Sequence, residues 1–144
     1  MTVSAIAEVL GGRKALRQKI ETSSELAKAT RAGLAVNSLD RLAEELSMPR
    51  VAVAKLIGIS ERTLSRRVAA KGRLTADESD RVVRLARVLA QAKETLGDME
   101  KASRWLQTSN RALDGDKPIG RLDTDTGVRS VEQVLGRIEY GLYS

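Results

Sequence analysis

Chemistry in this chain has to proceed without imidazole or thiol. Its 144 residues include no histidine and no cysteine. That removes disulfides, thiol nucleophiles, imidazole acid–base catalysis and the usual zinc ligands together. What remains, in types and spacing suited to a task, is a basic and hydroxyl-bearing run between positions 60 and 73. It contains Arg62, Thr63, Ser65, Arg66, Arg67, Lys71 and Arg73, with Glu61 as the one acid. On a helix, Leu64 and Val68 turn inward while Glu61, Arg62, Thr63, Ser65, Arg66 and Ala69 turn outward. Guanidinium groups on such a face can grip guanine edges bidentately, and serine or threonine can bond any base edge. Lys71 and Arg73, just beyond the helix, suit phosphates. The partner this pattern implies is duplex DNA, read in the major groove.

Positioning such a face requires a particular pair of helices, and the stretch Arg50–Arg73 supplies it. Val53, Ala54, Leu56 and Ile57 make one apolar face of a first helix. Gly58 ends it where a left-handed backbone costs glycine little. Ile59 then plugs the turn, and Ser60 is a good N-cap for the helix that carries the basic face. Ala54 is small, which two steeply crossed helices need in order to approach. This is the helix-turn-helix pattern. Arg67 falls where such motifs place a third core residue; Val68 is the alternative for that role, and Arg67 is counted with the basic contact face.

The charge distribution agrees. The formal net charge is +6, and residues 38–73 carry eight Lys or Arg against four Asp or Glu. Residues 113–144 carry four against six. A polyanion therefore belongs to the middle of the chain rather than to its end. Phe is absent, with one Trp and two Tyr, so the core must be built from Leu, Val, Ile and Ala. No apolar run approaches the roughly 20 residues of a membrane span, and the N-terminus lacks the features of a signal peptide. No membrane partner is expected, and a cytoplasmic location is.

Periodicity predicts an all-α fold in three segments. Residues 1–37 read as helical: a short helix, a break at Gly11-Gly12, a second helix to about Thr22, and a third over 24–34 with Leu26, Ala27 and Leu34 inward. Val3, Ile6, Leu10, Leu16 and Ile20 are its candidates for association with a second copy. A single helix-turn-helix covers one half-site, so a homodimer or higher homo-oligomer is expected. Residues 38–73 form the DNA-binding domain, with Ser38 capping a supporting helix and Pro49 in the first turn of the next. Residues 74–144 begin with a capping box, Thr75 and Glu78, on a long helix over roughly 76–97. Asp98 caps a further helix that carries Trp105 as a core anchor. An extended loop around Pro118-Ile119-Gly120 follows. The last helix starts near Ser130, with Ser130 and Gln133 as a second box, and Gly141 stops it. Asp114, Asp116, Asp123 and Asp125 lack the spacing and closing Glu of a calcium loop, so neither metal nor cofactor is expected.

The run from Leu74 to Gly141 resembles the toxin-binding domain of the Xre/MbcA/ParS antitoxins. The matching features, in order, are ESDR before a helix, WL then N-x-AL-x-G, P-x-x-x-L-x-T-x-x-G, and V-x-x-x-L-x-RIEYG. They cover about half the chain, and the helix-turn-helix ahead of them agrees with the family's arrangement. The resemblance implies a non-enzymatic antitoxin of a bacterial pair. Its partner would be a RES-domain toxin that degrades NAD⁺, and it would repress its own promoter. The toxin contacts it implies are Arg137, Tyr140, Gly141, Leu142, Tyr143 and Ser144. The tail Tyr140–Ser144 would enter the toxin's active-site cleft, with Tyr143 stacked where a base or nicotinamide lies and the Ser144 carboxylate mimicking a phosphate of NAD⁺. The competing reading is a stand-alone helix-turn-helix regulator whose C-terminal half dimerises or binds a ligand.

Overall fold

Apolar residues at helical spacing, interrupted by caps and glycines, set the order of elements. The computed structural model describes residues 2–141. Its helices are α1 (Val3–Val9), α2 (Gly12–Leu16), α3 (Ser23–Ala32), α4 (Ser38–Leu46), α5 (Arg50–Leu56), α6 (Glu61–Ala69), α7 (Ala76–Leu96), α8 (Met99–Leu106) and α9 (Asp125–Glu139), with 3-10 turns at Arg111–Leu113 and Pro118–Arg121. Among the described residues the one β-type pairing is an isolated bridge between Ala35 and Arg73. The fold is all-α.

The long helix α7 is the scaffold. It packs against α1 and α3 and also against α8 and α9, so its apolar surface is wider than one stripe. Val82, Leu85, Ala86, Val88, Leu89, Ala90 and Ala92 are all buried on it. They join a single cluster that runs from Ile6 to Leu135. Each fully buried leucine in such a cluster contributes about 1.5–3 kcal/mol over its exposed state. Polar caps fix where the helices begin. Thr22 with Glu25 and Thr75 with Glu78 form complete capping boxes. Ser60, Asp98 and Thr124 each accept from a backbone N–H one turn on.

Several elements depart from the sequence expectation. The second helix stops at Leu16 because Arg17 turns left-handed (φ 62°); Thr22 begins α3 instead of ending α2. On α3 the inward residue is Ala29, not Ala27, which is exposed. Ile6, Leu10, Leu16 and Ile20 are buried in the common core, with Val3 packed against it. These side chains are used within the chain, so contact with a second copy would need others. At α4 the N-cap is Asn37; Ser38 is buried and its hydroxyl has no hydrogen-bond partner among the described residues. Pro49 occupies the N-cap of α5 rather than its first turn. The last helix starts at Asp125, five residues before Ser130, whose hydroxyl donates to the Gly127 carbonyl inside the helix. Pro118–Arg121 is a 3-10 turn rather than an extended loop, and it still buries Ile119. Trp105 is half-buried at the edge of the core.

Candidate functional site

The helix-turn-helix consists of α5 and α6, and the turn is built as its residue types require. Ala54 is fully buried where the helices meet, and Gly58 takes φ 83°. Ile59 is 3% exposed and donates its N–H to the Ala54 carbonyl. Ser60 accepts from the Thr63 N–H at 3.2 Å, and the two hydroxyls are 3.0 Å apart. Leu64 is buried, Val68 half-buried, and Arg62, Ser65 and Arg66 are exposed on the outer face. Neither Arg62 nor Arg66 enters an ion pair among the described residues, so both guanidinium groups are open to a ligand. Thr63 lies half-buried beside its cap.

Arg67 departs from the expectation of an outward contact face, while Lys71 and Arg73, expected on phosphates just beyond the helix, are exposed. Arg67 turns inward and pairs with Glu78, the two side chains being only 20% and 14% exposed. It occupies the motif's third core position as half of an ion pair, so it does not join the groove-facing set. Arg73 donates to the Gly33 carbonyl at 3.0 Å, which ties the turn after α6 to the end of α3. Lys71 is exposed and left-handed, at φ 52°.

Each residue of the ESDR run has a structural partner. Glu78 pairs with Arg67 of α6 and accepts from the Thr75 N–H. The Ser79 hydroxyl, fully buried, accepts from the Leu34 N–H at 2.8 Å. Asp80 pairs with Arg84. Arg81 donates to the Ile57 carbonyl at the end of α5. The first turns of α7 thus fasten the helix-turn-helix to the C-terminal half. Burial alone would raise the Glu78 carboxyl. The Thr75 N–H, the Arg67 guanidinium and the Thr75 hydroxyl outweigh it and hold the group below its ordinary value. A lowered value means the stabilisation is complete above about pH 4.3, the ordinary glutamate value, and is lost as pH falls through the lowered one. Glu78→Gln should cost about 1–3 kcal/mol at pH 7 and flatten the acid limb of stability. Urea unfolding at stepped pH from neutral into the acid range reads both, and a parent-like acid limb would refute the pairing.

The remaining motif residues build the C-terminal half. Asn110 accepts from the Ala112 N–H at 2.9 Å, Leu113 is buried, and Gly115 takes φ 85° while donating to the Asn110 carbonyl. Arg121 donates to the Leu113 carbonyl and pairs with Asp116 and Asp114, so these acids anchor a loop. Pro118 opens the 3-10 turn and Thr124 caps α9. A Cβ on Gly127 would lie 1.8 Å from the Arg121 carbonyl oxygen, so only glycine fits where α9 leaves that turn. Val131, Val134 and Leu135 are buried, and Arg87 of α7 bonds Glu132 at 3.2 Å. Beyond them Arg137 is exposed, Tyr140 is 80% exposed and Gly141 turns left-handed at φ 67°. Leu142, Tyr143 and Ser144, the rest of the expected toxin contacts, lie outside the described residues.

This arrangement matches two family models. Residues 25–87 match the antitoxin Xre-like helix-turn-helix domain, and residues 91–141 match the antitoxin Xre/MbcA/ParS C-terminal toxin-binding domain. The chain belongs to the Xre antitoxin family. Among its relatives is an "Antitoxin Xre" of Photorhabdus laumondii, 36% identical over 113 residues that cover 78% of this chain and 76% of that one. An "Antitoxin Xre" of Yersinia enterocolitica is 33% identical over 83% of this chain and 81% of its own length. A more distant relative from Sphingobium, 26% identical over 78% of this chain and 76% of its own length, is named "Prs ADP-ribosylating antitoxin". This antitoxin therefore pairs a helix-turn-helix DNA-binding unit with a C-terminal toxin-binding domain. Sequence spacing did not single out Arg17 and Arg50, which stand beside Lys71 at the edge of the DNA-binding unit. Arg17 reaches that place only because the chain turns left-handed there, which no residue type at position 17 announces.

Proposed function

We propose that this antitoxin holds a RES-domain, NAD⁺-degrading toxin inactive by occupying its active-site cleft, and that it represses its own promoter as an oligomer. It works in the cytoplasm by binding rather than by catalysis. The observation that carries the toxin half is Tyr140. It is an 80% exposed aromatic at the end of α9, followed in sequence by Leu142 and Tyr143. Apolar surface of this kind gains most from a partner's pocket. The name of the Sphingobium relative supports the choice of partner, because ADP-ribosyl transfer consumes NAD⁺. Arg62 and Arg66, exposed and without an ion pair among the described residues, support the operator half. Co-expression with the toxin gene beside it tests the reading. The pair should co-purify, cells should survive, and cellular NAD⁺ should hold. A neighbouring toxin that leaves NAD⁺ intact in the antitoxin's absence refutes the toxin class. Failure to co-purify with any neighbour product favours a stand-alone regulator.

A further inference from the structure

A cleft of about 370 Å³ opens beside the recognition helix, lined by Arg17, Val36, Asn37, Asp40, Arg50, Val68 and Lys71. Three cations from separate stretches of chain converge on it. Arg17 comes from the end of α2, Arg50 from the start of α5, and Lys71 from the turn after α6. One acid answers them: Asp40 bonds Arg50 Nε at 2.6 Å. Arg17 and Lys71 enter no ion pair among the described residues, so the cleft keeps an excess of positive charge. Both hold a left-handed backbone, φ 62° and 52°, a conformation uncommon outside glycine. Alongside runs a second groove that shares Arg50 and Val68 and continues to Ser65 and Ala69. The cleft is thus continuous with the outward face of α6.

We propose that this cleft seats a backbone phosphate of the DNA duplex whose major groove receives α6, with Arg17, Arg50 and Lys71 as its donors. The inference rests on the DNA-binding reading and extends it. Arg17 lies ahead of residue 25, where the helix-turn-helix match begins, so the N-terminal segment becomes part of the DNA interface. Such a contact carries no sequence preference; it fixes how the recognition helix enters the groove. The chemistry recognised is a phosphate anion, which a backbone phosphodiester or a free phosphate could supply. Continuity with α6 selects the backbone.

Arg17→Asn is the decisive variant, since asparagine is at ease in a left-handed backbone. Fluorescence anisotropy on the operator and on an unrelated duplex, over a series of salt concentrations, reads it. One lost phosphate contact lowers the slope of log affinity on log salt by about 0.9 in magnitude. A fourfold rise in salt should then cost the variant about threefold less affinity than it costs the parent. Both duplexes should weaken alike, Arg17→Lys should restore the slope, and the thermal melt should not move. An unchanged slope in Arg17→Asn, alongside lost operator binding in Arg66→Ala, overturns the cleft and leaves the groove assignment standing. Unchanged binding in both variants overturns both. An equal slope change in Lys117→Ala, which removes an exposed charge outside the cleft, overturns the proposal as a net-charge effect. Inorganic phosphate bound saturably by the parent but not by Arg17→Asn, with DNA binding unaltered, makes the cleft a free-phosphate site and overturns the DNA contact.

Discussion

Deleting Leu142–Ser144 should sharply reduce toxin neutralisation while operator binding and the thermal melt stay at parental values. That separation is expected because the helix-turn-helix and the described core lie ahead of the tail. The last buried residues of α9 are Val134 and Leu135, and among the described residues Ile138 is the last side chain packed against the core. The cluster that holds α7 and α9 together is thus built from residues that the deletion keeps. Tyr140 lies on the other side of that boundary. Among the described residues it and Val51 are the exposed large apolar side chains. An aromatic of this size buries about 150–250 Å² when it docks. Anchors that fill a partner's pocket cost about 2–4 kcal/mol when truncated, or roughly 30- to 1,000-fold in affinity. Leu142 and Tyr143 together exceed one such anchor. Growth of toxin-producing cells, at matched antitoxin levels, is the measurement. Full protection by the shortened chain would sink the tail assignment, while Tyr140→Ala should give an intermediate loss.

Replacing Arg62 and Arg66 together should remove operator recognition. Each good bidentate grip on a base is worth about 1–3 kcal/mol. The pair should therefore cost roughly 30-fold to 20,000-fold in specific affinity, with some coupling because they sit one turn apart. Affinity for unrelated duplex should fall far less, since only a general charge contribution is lost. Stability should not change, because both side chains are exposed and neither enters an ion pair among the described residues. Electrophoretic mobility shifts with operator and scrambled duplex measure the ratio, and an unaltered ratio would show that another face of the protein reads the bases. Arg67→Ala should behave in the opposite manner. It breaks the pair with Glu78 and so lowers stability before it touches recognition.

Most of the architecture was legible because it rests on local rules. Ala54, Gly58, Ile59 and Ser60 each do what their type and spacing imply, since a tight turn between crossed helices admits few alternatives. The Thr75–Glu78 box and the Asp98 cap were readable for the same reason: a side-chain oxygen and a backbone N–H one turn apart settle the matter between themselves. The length of α7 followed from an unbroken apolar pattern. Errors gathered where two local signals competed. Thr124 and Ser130 are both plausible caps, and Gly127 decided between them, because the close approach to the Arg121 carbonyl requires the helix to have begun already.

By itself, then, the amino-acid order determined that the chain is all-α, that it carries a helix-turn-helix with a basic outer face, and that its C-terminal half follows an antitoxin pattern. Each of these depends on residues within a turn or two of one another, where spacing translates directly into geometry. Only the tertiary structure decided what long-range partners do. Arg67 and Glu78 lie eleven positions apart, and their pairing took Arg67 out of the contact face. Leu34 meets Ser79, and Gly33 meets Leu74, only when α3 docks on the start of α7. The apolar N-terminal residues went into the core because α1 packs on α7, which no periodicity within α1 could announce. The convergence of Arg17, Arg50 and Lys71 on one cleft is of the same kind. Charges far apart in sequence acquire a common task only when packing brings them to one place.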